Sequence, residues 1–437
     1  MPVPYRPGAG SWAYAAYRSD LASRVQVPYR PRGPAGGDRV PRRRPAGLPP
    51  LADPASRTHT GAVRTVTATA ATVSAVLGVG AAALAAGRLA SEPALRAEPG
   101  RPLPTEPRLT VHAAGAGRIM LTRSLASLRP GVFGLTGDGC HAVTGPVLEA
   151  DPASPADTVV RRLDAVTHGS VRSGTRVRFT PQVYRGDPLS ALGLDYADVD
   201  VPGELGDLPA WFVPAPRTTW VIAVHGLGTT REHPMVLMEQ LQHFGLPVLA
   251  LSYRGDLGAP RNPDGVSRLG EREWRDVDAA IRYAVRYGAE RVILLGWSTG
   301  AAMALHAVTH SPLRERVVGL VLDSPVLSWQ AALRGLAAAR RTPAPILPLA
   351  VRAAQGRAGL RGDGLAAGAA AALDTPTLLF HSPEDRLAPY ALSLALAERR
   401  PDLVSLHTVP RASHAALWNA APAEYEEALR RFLTPLV

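Results

Sequence analysis

A chain of 437 residues with 46% hydrophobic content can bury a large core, and its one cysteine, Cys140, excludes an intrachain disulfide framework and leaves no Cys partner for a structural zinc site. Every basic residue is arginine. The formal charge of +11 is concentrated in residues 1–64, which hold eleven Arg against three Asp, so the basicity belongs to a tail and does not describe a nucleic-acid-binding face.

Residues 1–64 are rich in Pro, Gly and Arg and lack a period of 2 or 3.6, so they are expected to be a disordered basic tail. Between Arg64 and Arg88 lie 23 residues without a charge, long enough as a helix to cross an apolar layer of about 30 Å. We read 65–87 as a transmembrane helix, with a cleaved signal or a buried helix as the other readings. The arginine excess before it predicts a cytoplasmic tail and an exported remainder, at the cell membrane or, if cleaved, secreted. Residues 88–107 read as a Pro-rich linker. From 108 to 204, short alternating runs broken by Gly and Pro predict antiparallel strands, as a separate β module or an extension of the main sheet.

From residue 205 the chain becomes more apolar. WVIAV, 220–224, predicts a buried strand ending in HGLG, whose glycines let the backbone turn N–H groups inward; Leu227 is the first candidate donor and Gly228 the next. His225 follows a strand and precedes the serine discussed below by many positions, which suits loop ordering better than proton transfer. A helix is expected over 235–244, a strand over 247–252, and a helix over 271–288 with Val277, Ile281, Ala284 and Val285 on one face.

Residues 291–304, RVILLGWSTGAAMA, read as strand, sharp turn and helix. Gly296, Ser298 and Gly300 match G-x-S-x-G, in which a strained serine is held at the top of a sheet and the helix N-terminus offers N–H groups to a developing oxyanion. A strand follows over 317–326, containing Asp323. Residues 328–374, Ala- and Arg-rich with Pro343, Pro345 and Pro348, predict a short helical cap that shapes substrate choice. Residues 375–389 give a strand and exit loop carrying Glu384 and Asp385, and 403–419 a strand and loop holding His414. A helix is expected over 422–433. His233, His306, His310, His381 and His407 lack metal-ligand spacing and are read as surface or packing residues.

Over about residues 205–437 the sequence resembles the α/β-hydrolase superfamily. The resemblance rests on HGLG, GWSTG, Asp385 and His414, each just after a predicted strand and in the nucleophile, acid, histidine order. YRGDLGAP and the WN after the histidine look like a bacterial branch of exported or membrane-tethered serine hydrolases. The resemblance implies an α/β fold with a mostly parallel central sheet flanked by helices under a short cap. It implies Ser298 as nucleophile, His414 as general base and then acid, Asp385 as the orienting carboxylate, and the N–H groups of Leu227 and Thr299 as the oxyanion hole. Asp323 and Glu384 remain open as alternatives for the acid. The implied activity is hydrolysis of a small-molecule or lipid carboxylic ester through an acyl-serine, without metal or cofactor. Amidases, peptidases and acyltransferases use the same machinery, and a non-catalytic binding protein on this fold is the reading from another class.

Overall fold

The computed structural model describes Leu95 and residues 99–437, apart from 138, 150–154, 361, 363–364 and 366–367. The basic tail and the uncharged stretch 65–87 lie outside the described residues, and no helix among the described residues is long and apolar enough to cross a membrane.

Six strands form a first unit: β1 (Leu109–Gly115), β2 (Arg118–Thr122), β3 (Phe133–Gly137), β4 (Cys140–Val147), β5 (Thr158–His168) and β6 (Arg176–Thr180). They close into a barrel in the order β1-β2-β5-β4-β3-β6, each pairing antiparallel. The period of 2 decides what fills it: Leu109 and Val111, Ile119 and Leu121, Phe133 and Leu135, and Val177 and Phe179 alternate inward and share one core with the buried free Cys140. Closure leaves this small sheet without an edge.

A short helix, α1 (Pro188–Leu192), capped by the Asp187 carboxylate accepting the Ser190 N–H at 2.8 Å, leads into β7 (Ala197–Gly203) and β8 (Gly206–Val213). Sequence reading placed 197–203 in the β-rich extension that ends at 204. In the structure β7 instead pairs with β8, and β8 with β10, so this hairpin is the antiparallel edge of the main sheet. The reason is amphipathic: Val199 and Val201 are buried in the main core while Asp198 and Asp200 are exposed.

The main sheet continues through β9 (Thr219–Val224), α2 (Met235–His243), β10 (Val248–Leu251), α3 (Trp274–Arg286), β11 (Arg291–Trp297), α4 (Thr299–His310) and β12 (Val317–Asp323). Then come α5 (Trp329–Ala339), α6 (Leu347–Ala358), α7 (Ala369–Ala372), β13 (Thr377–His381), α8 (Tyr390–Arg399), β14 (Val404–Thr408), α9 (Leu417–Ala420) and α10 (Pro422–Leu433). Strand order is β14-β13-β12-β11-β9-β10-β8-β7, parallel from β14 to β10. Both faces are covered, which explains the unbroken apolar runs: Trp220, Ile222 and Val224 enter one core, with α3 and α4, while Val221 and Ala223 enter the other, with α2 and α10. On α3, Val277, Ile281 and Ala284 are fully buried, the stripe expected from the spacing.

Candidate active site

Ser298 ends β11 and opens α4 with φ 54° and ψ −115°, a conformation that costs a non-glycine residue about 1–3 kcal/mol. Its surroundings hold it there. Its N–H donates to the Asp323 carbonyl at 2.8 Å, and its carbonyl accepts the N–H groups of Val326 and Ala302, both at 3.2 Å. The flanking glycines are sterically required: a Cβ on Gly296 would lie 2.6 Å from the Ala301 nitrogen, and one on Gly300 2.1 Å from the Val224 oxygen.

The turn brings Ser298 to two residues far along the chain. The Ser298 hydroxyl donates to His414 Nε2 at 2.6 Å, and His414 Nδ1–H donates to Asp385 Oδ2 at 2.7 Å. Asp385 Oδ1 accepts the N–H groups of Leu387 at 2.8 Å and Ala388 at 3.0 Å, so the loop after β13 fixes one carboxylate oxygen while the other faces His414. Burial pushes this carboxyl group up, but His414 and His381 hold it well below the ordinary carboxylate range, so it is ionised at neutral pH.

The two alternative acids have other partners. Asp323 Oδ1 accepts the Ser324 hydroxyl at 2.8 Å, and burial raises its carboxyl to about 7. Glu384 accepts the Ser382 hydroxyl at 2.9 Å and the Arg411 N–H at 3.0 Å, tying the loop after β13 to the one that carries His414. Arg411 and Ala415 both have positive φ, and Ser324, also strained, accepts the Ala415 N–H at 3.0 Å. His414 is thus held from both sides.

His381, read from sequence as a packing residue, ends β13 fully buried with Nε2 3.2 Å from Asp385 Oδ2 and 3.1 Å from the Ala388 carbonyl. Its Nδ1 lies 2.7 Å from Ser393 Oγ on α8. It orients the carboxylate from behind. The one sequence signal was its place four residues before Asp385, at a strand end.

The HGLG loop packs directly on the nucleophile: a Cβ on Gly226 would lie 2.7 Å from Ser298 Cβ. Leu227 lines the same cavity as Ser298 and His414, and Thr299 is the first residue of α4, where N–H groups have no partner within the helix. His225 points away. Its Nε2 is 2.7 Å from Asp256 Oδ2 and its ring stacks on Tyr253 at 4.6 Å, which fixes the loop.

The segment expected to form a cap supplies α5, α6 and α7. No described residue of 328–374 lines the cavity at Ser298; α5 lies instead against the loop of the acid, where a Cβ on Gly335 would approach the Arg386 oxygen to 2.7 Å. The opposite wall comes from Pro102 and Leu103, in the stretch read as a linker, and from Phe133 and Phe179 of the barrel. Among the described residues no His, Cys, Asp or Glu cluster could hold a metal ion.

A family profile described as serine aminopeptidase, S33, matches residues 215–365, which include HGLG and the Ser298 turn but end before Asp385 and His414. A domain of unknown function (DUF8805) matches residues 110–180, the span of the barrel. No curated protein matches the chain significantly. Among solved structures, an esterase of Pyrococcus furiosus is 21% identical with a TM-score of 0.49, covering 57% of this chain and 94% of its own. A thermophilic esterase from Thermogutta terrifontis is 19% identical with a TM-score of 0.42, over 55% and 98% of the two chains. A monoacylglycerol lipase of Paleococcus ferrophilus is 20% identical with a TM-score of 0.39, over 53% and 99%. With the profile across the strained serine turn and the parallel sheet that presents it, the matched part of the chain is a hydrolase domain of the α/β-hydrolase type.

Proposed function

We propose that the protein hydrolyses a carboxylic ester through an acyl-serine intermediate. The supporting observation is the continuous hydrogen-bonded line from Asp385 through His414 to Ser298. In this reading Ser298 Oγ attacks the carbonyl carbon while its proton passes to His414 Nε2, and Asp385 stabilises the imidazolium that forms. The carbonyl oxygen becomes an oxyanion beside the N–H groups of Leu227 and Thr299. As the carbon–oxygen bond to the alcohol breaks, His414 gives its proton to the leaving oxygen. Water then attacks the acyl-serine, losing a proton to the same nitrogen, and the acid leaves as Ser298 recovers its hydrogen. No redox partner enters.

The full chain should be labelled by a fluorophosphonate probe, with labelling abolished in Ser298→Ala. Ester turnover should fall about 10⁴-fold in Asp385→Asn, where the imidazole loses its orienting charge. Undiminished labelling of the Ser298→Ala protein would place the reactive group elsewhere. An amide substrate is the second reading, favoured by the serine aminopeptidase description of the matching profile. Comparing paired ester and amide substrates of one acyl group separates the two.

The uncharged run at 65–87 supports a further part of the proposal, that a single span tethers an exported catalytic domain to the membrane. The full chain should then sediment with membranes and resist carbonate extraction. Recovery in the soluble fraction would remove the tether.

A further inference from the structure

The cavity at Ser298 is small, about 30 Å³, room for roughly one water. What confines it is the barrel and the segment leading into it. The chain is anchored at Leu95, fully buried in the main core with its carbonyl accepting the Ser267 N–H at 2.9 Å. Residues 101–106 then cross the HGLG loop. A Cβ on Gly228 would lie 2.8 Å from the Arg101 oxygen and 3.1 Å from a Leu103 methyl, so the strap sits on the loop that carries Leu227. At its far end Glu106 is paired with Arg129 of the barrel at 2.6 Å.

The barrel side of the cavity is built for rigidity. Phe133 opens β3 and Phe179 lies near the end of β6, with ring centroids 5.1 Å apart. The fully buried guanidinium of Arg161 lies 5.7 and 5.3 Å from the two rings. It also donates to the carbonyls of Ser127, Arg129 and Gly131 at 3.1, 2.6 and 2.8 Å. A buried cation thus locks two aromatic rings and the loop bearing the Glu106 partner into one body. Because all this stands opposite Ser298 and His414, it meets whatever is attached to the reacting carbonyl.

We propose that the barrel is the specificity element of this site: Leu103, Phe133 and Phe179 receive an apolar group beside the scissile bond, and the 101–106 strap lifts to admit it. The inference rests on the ester-hydrolase reading above and adds the chemical class of the substrate and the residues that select it. Glu106 also lines the cavity but is paired with Arg129, so the wall presented by Leu103, Phe133 and Phe179 is apolar and favours alkyl or aromatic groups over ionised ones.

The test uses the full chain, which keeps the Leu95 anchor, with two series, p-nitrophenyl esters of acyl groups from acetate to octanoate and butyrates of alcohols from methanol to octanol. Leu103→Ala removes a partly buried side chain from the strap. It should change the octyl-to-methyl or octanoate-to-acetate ratio of kcat/KM about tenfold, since a methylene or two in an apolar pocket is worth that much. Phe179→Leu should shift the ratio for benzoate against acetate in the same series. The series that responds shows whether the acyl or the alcohol side lies against the barrel, and either supports the proposal. Because Phe179 is in the barrel core, a poorly folded Phe179→Leu protein leaves the decision to Leu103→Ala. Ratios unchanged in a Leu103→Ala protein that still labels at Ser298 would overturn the proposal while leaving the hydrolase reading intact. Absence of labelling in the wild type would instead overturn that reading, and with it this one.

Discussion

Asp323 holds the nucleophile through its main chain and carries a second carboxyl group into the same core. Its carbonyl accepts the Ser298 N–H, and its side chain is buried with one oxygen on Ser324. Burial raises this carboxyl to about 7, against roughly 3.9 in an unfolded chain. Between those values the folded state binds the extra proton, so stability from this group falls as pH rises from about 4 to about 7. Asp323→Asn cannot titrate. Urea unfolding at pH 5 and pH 8 should therefore show a wild-type loss larger than that of Asp323→Asn, by a few kcal/mol at most. Ester turnover at pH 7 should be affected much less than by Asp385→Asn. A variant as inactive as Asp385→Asn would make Asp323 the acid and reverse the assignment.

At the scale of elements, the acid loop is clamped between two helices. Ser393 of α8 holds His381 behind Asp385, and Gly335 of α5 meets the backbone at Arg386 and Leu387 in front. A methyl group at 335 must displace one of them, and the loop, held by single hydrogen bonds such as Glu384 to the Arg411 N–H, gives way more readily than a packed helix. Gly335→Ala should keep the melting temperature within a few degrees while lowering kcat by one to two orders of magnitude, since small misplacements of catalytic groups carry large penalties. A kcat within twofold of wild type would show that the loop is not positioned from α5. The site was legible in the sequence where its chemistry is local. The serine turn, HGLG and the strand ends with Asp385 and His414 are each encoded within a few consecutive residues. Ser324 and Gly335 were not legible, because their roles come from a partner 91 positions away, as for Ser324 and Ala415, or from a contact that only the packed fold creates, whereas His381 left one local signal, its place four residues before Asp385. Barrel closure was hidden for a related reason: alternation fixes which face of a strand is buried and leaves open which strands become neighbours.

For the molecule as a whole, one buried amide joins the barrel to the main domain, beside the Gln182 side chain, which donates to Thr230 and Glu232. Asn419 Nδ2 donates to the carbonyls of Val132 at 2.9 Å and Pro181 at 3.1 Å, and the Asn419 main-chain carbonyl accepts the Val132 N–H at 2.8 Å. Gly131 is needed for this approach, since a Cβ there would lie 1.9 Å from the Asn419 oxygen. Asn419→Ala strands two carbonyls, at about 1–3 kcal/mol for a buried group left unpaired. Hydrogen exchange in β3 and β6 should rise by at least tenfold, with β9 and β11 unchanged. Uniformly faster exchange would mean that the amide supports the hydrolase core and does not act as a latch. The same junction orders events during synthesis. Asn419 follows Val132 by 287 positions, and His414 follows Ser298 by 116. A nascent chain that has reached residue 413 has made its serine turn and its barrel, yet it holds neither the base nor the latch. The base that arms the nucleophile and the amide that fastens its selective wall lie within six consecutive residues, 414 to 419, so the two arrive almost together.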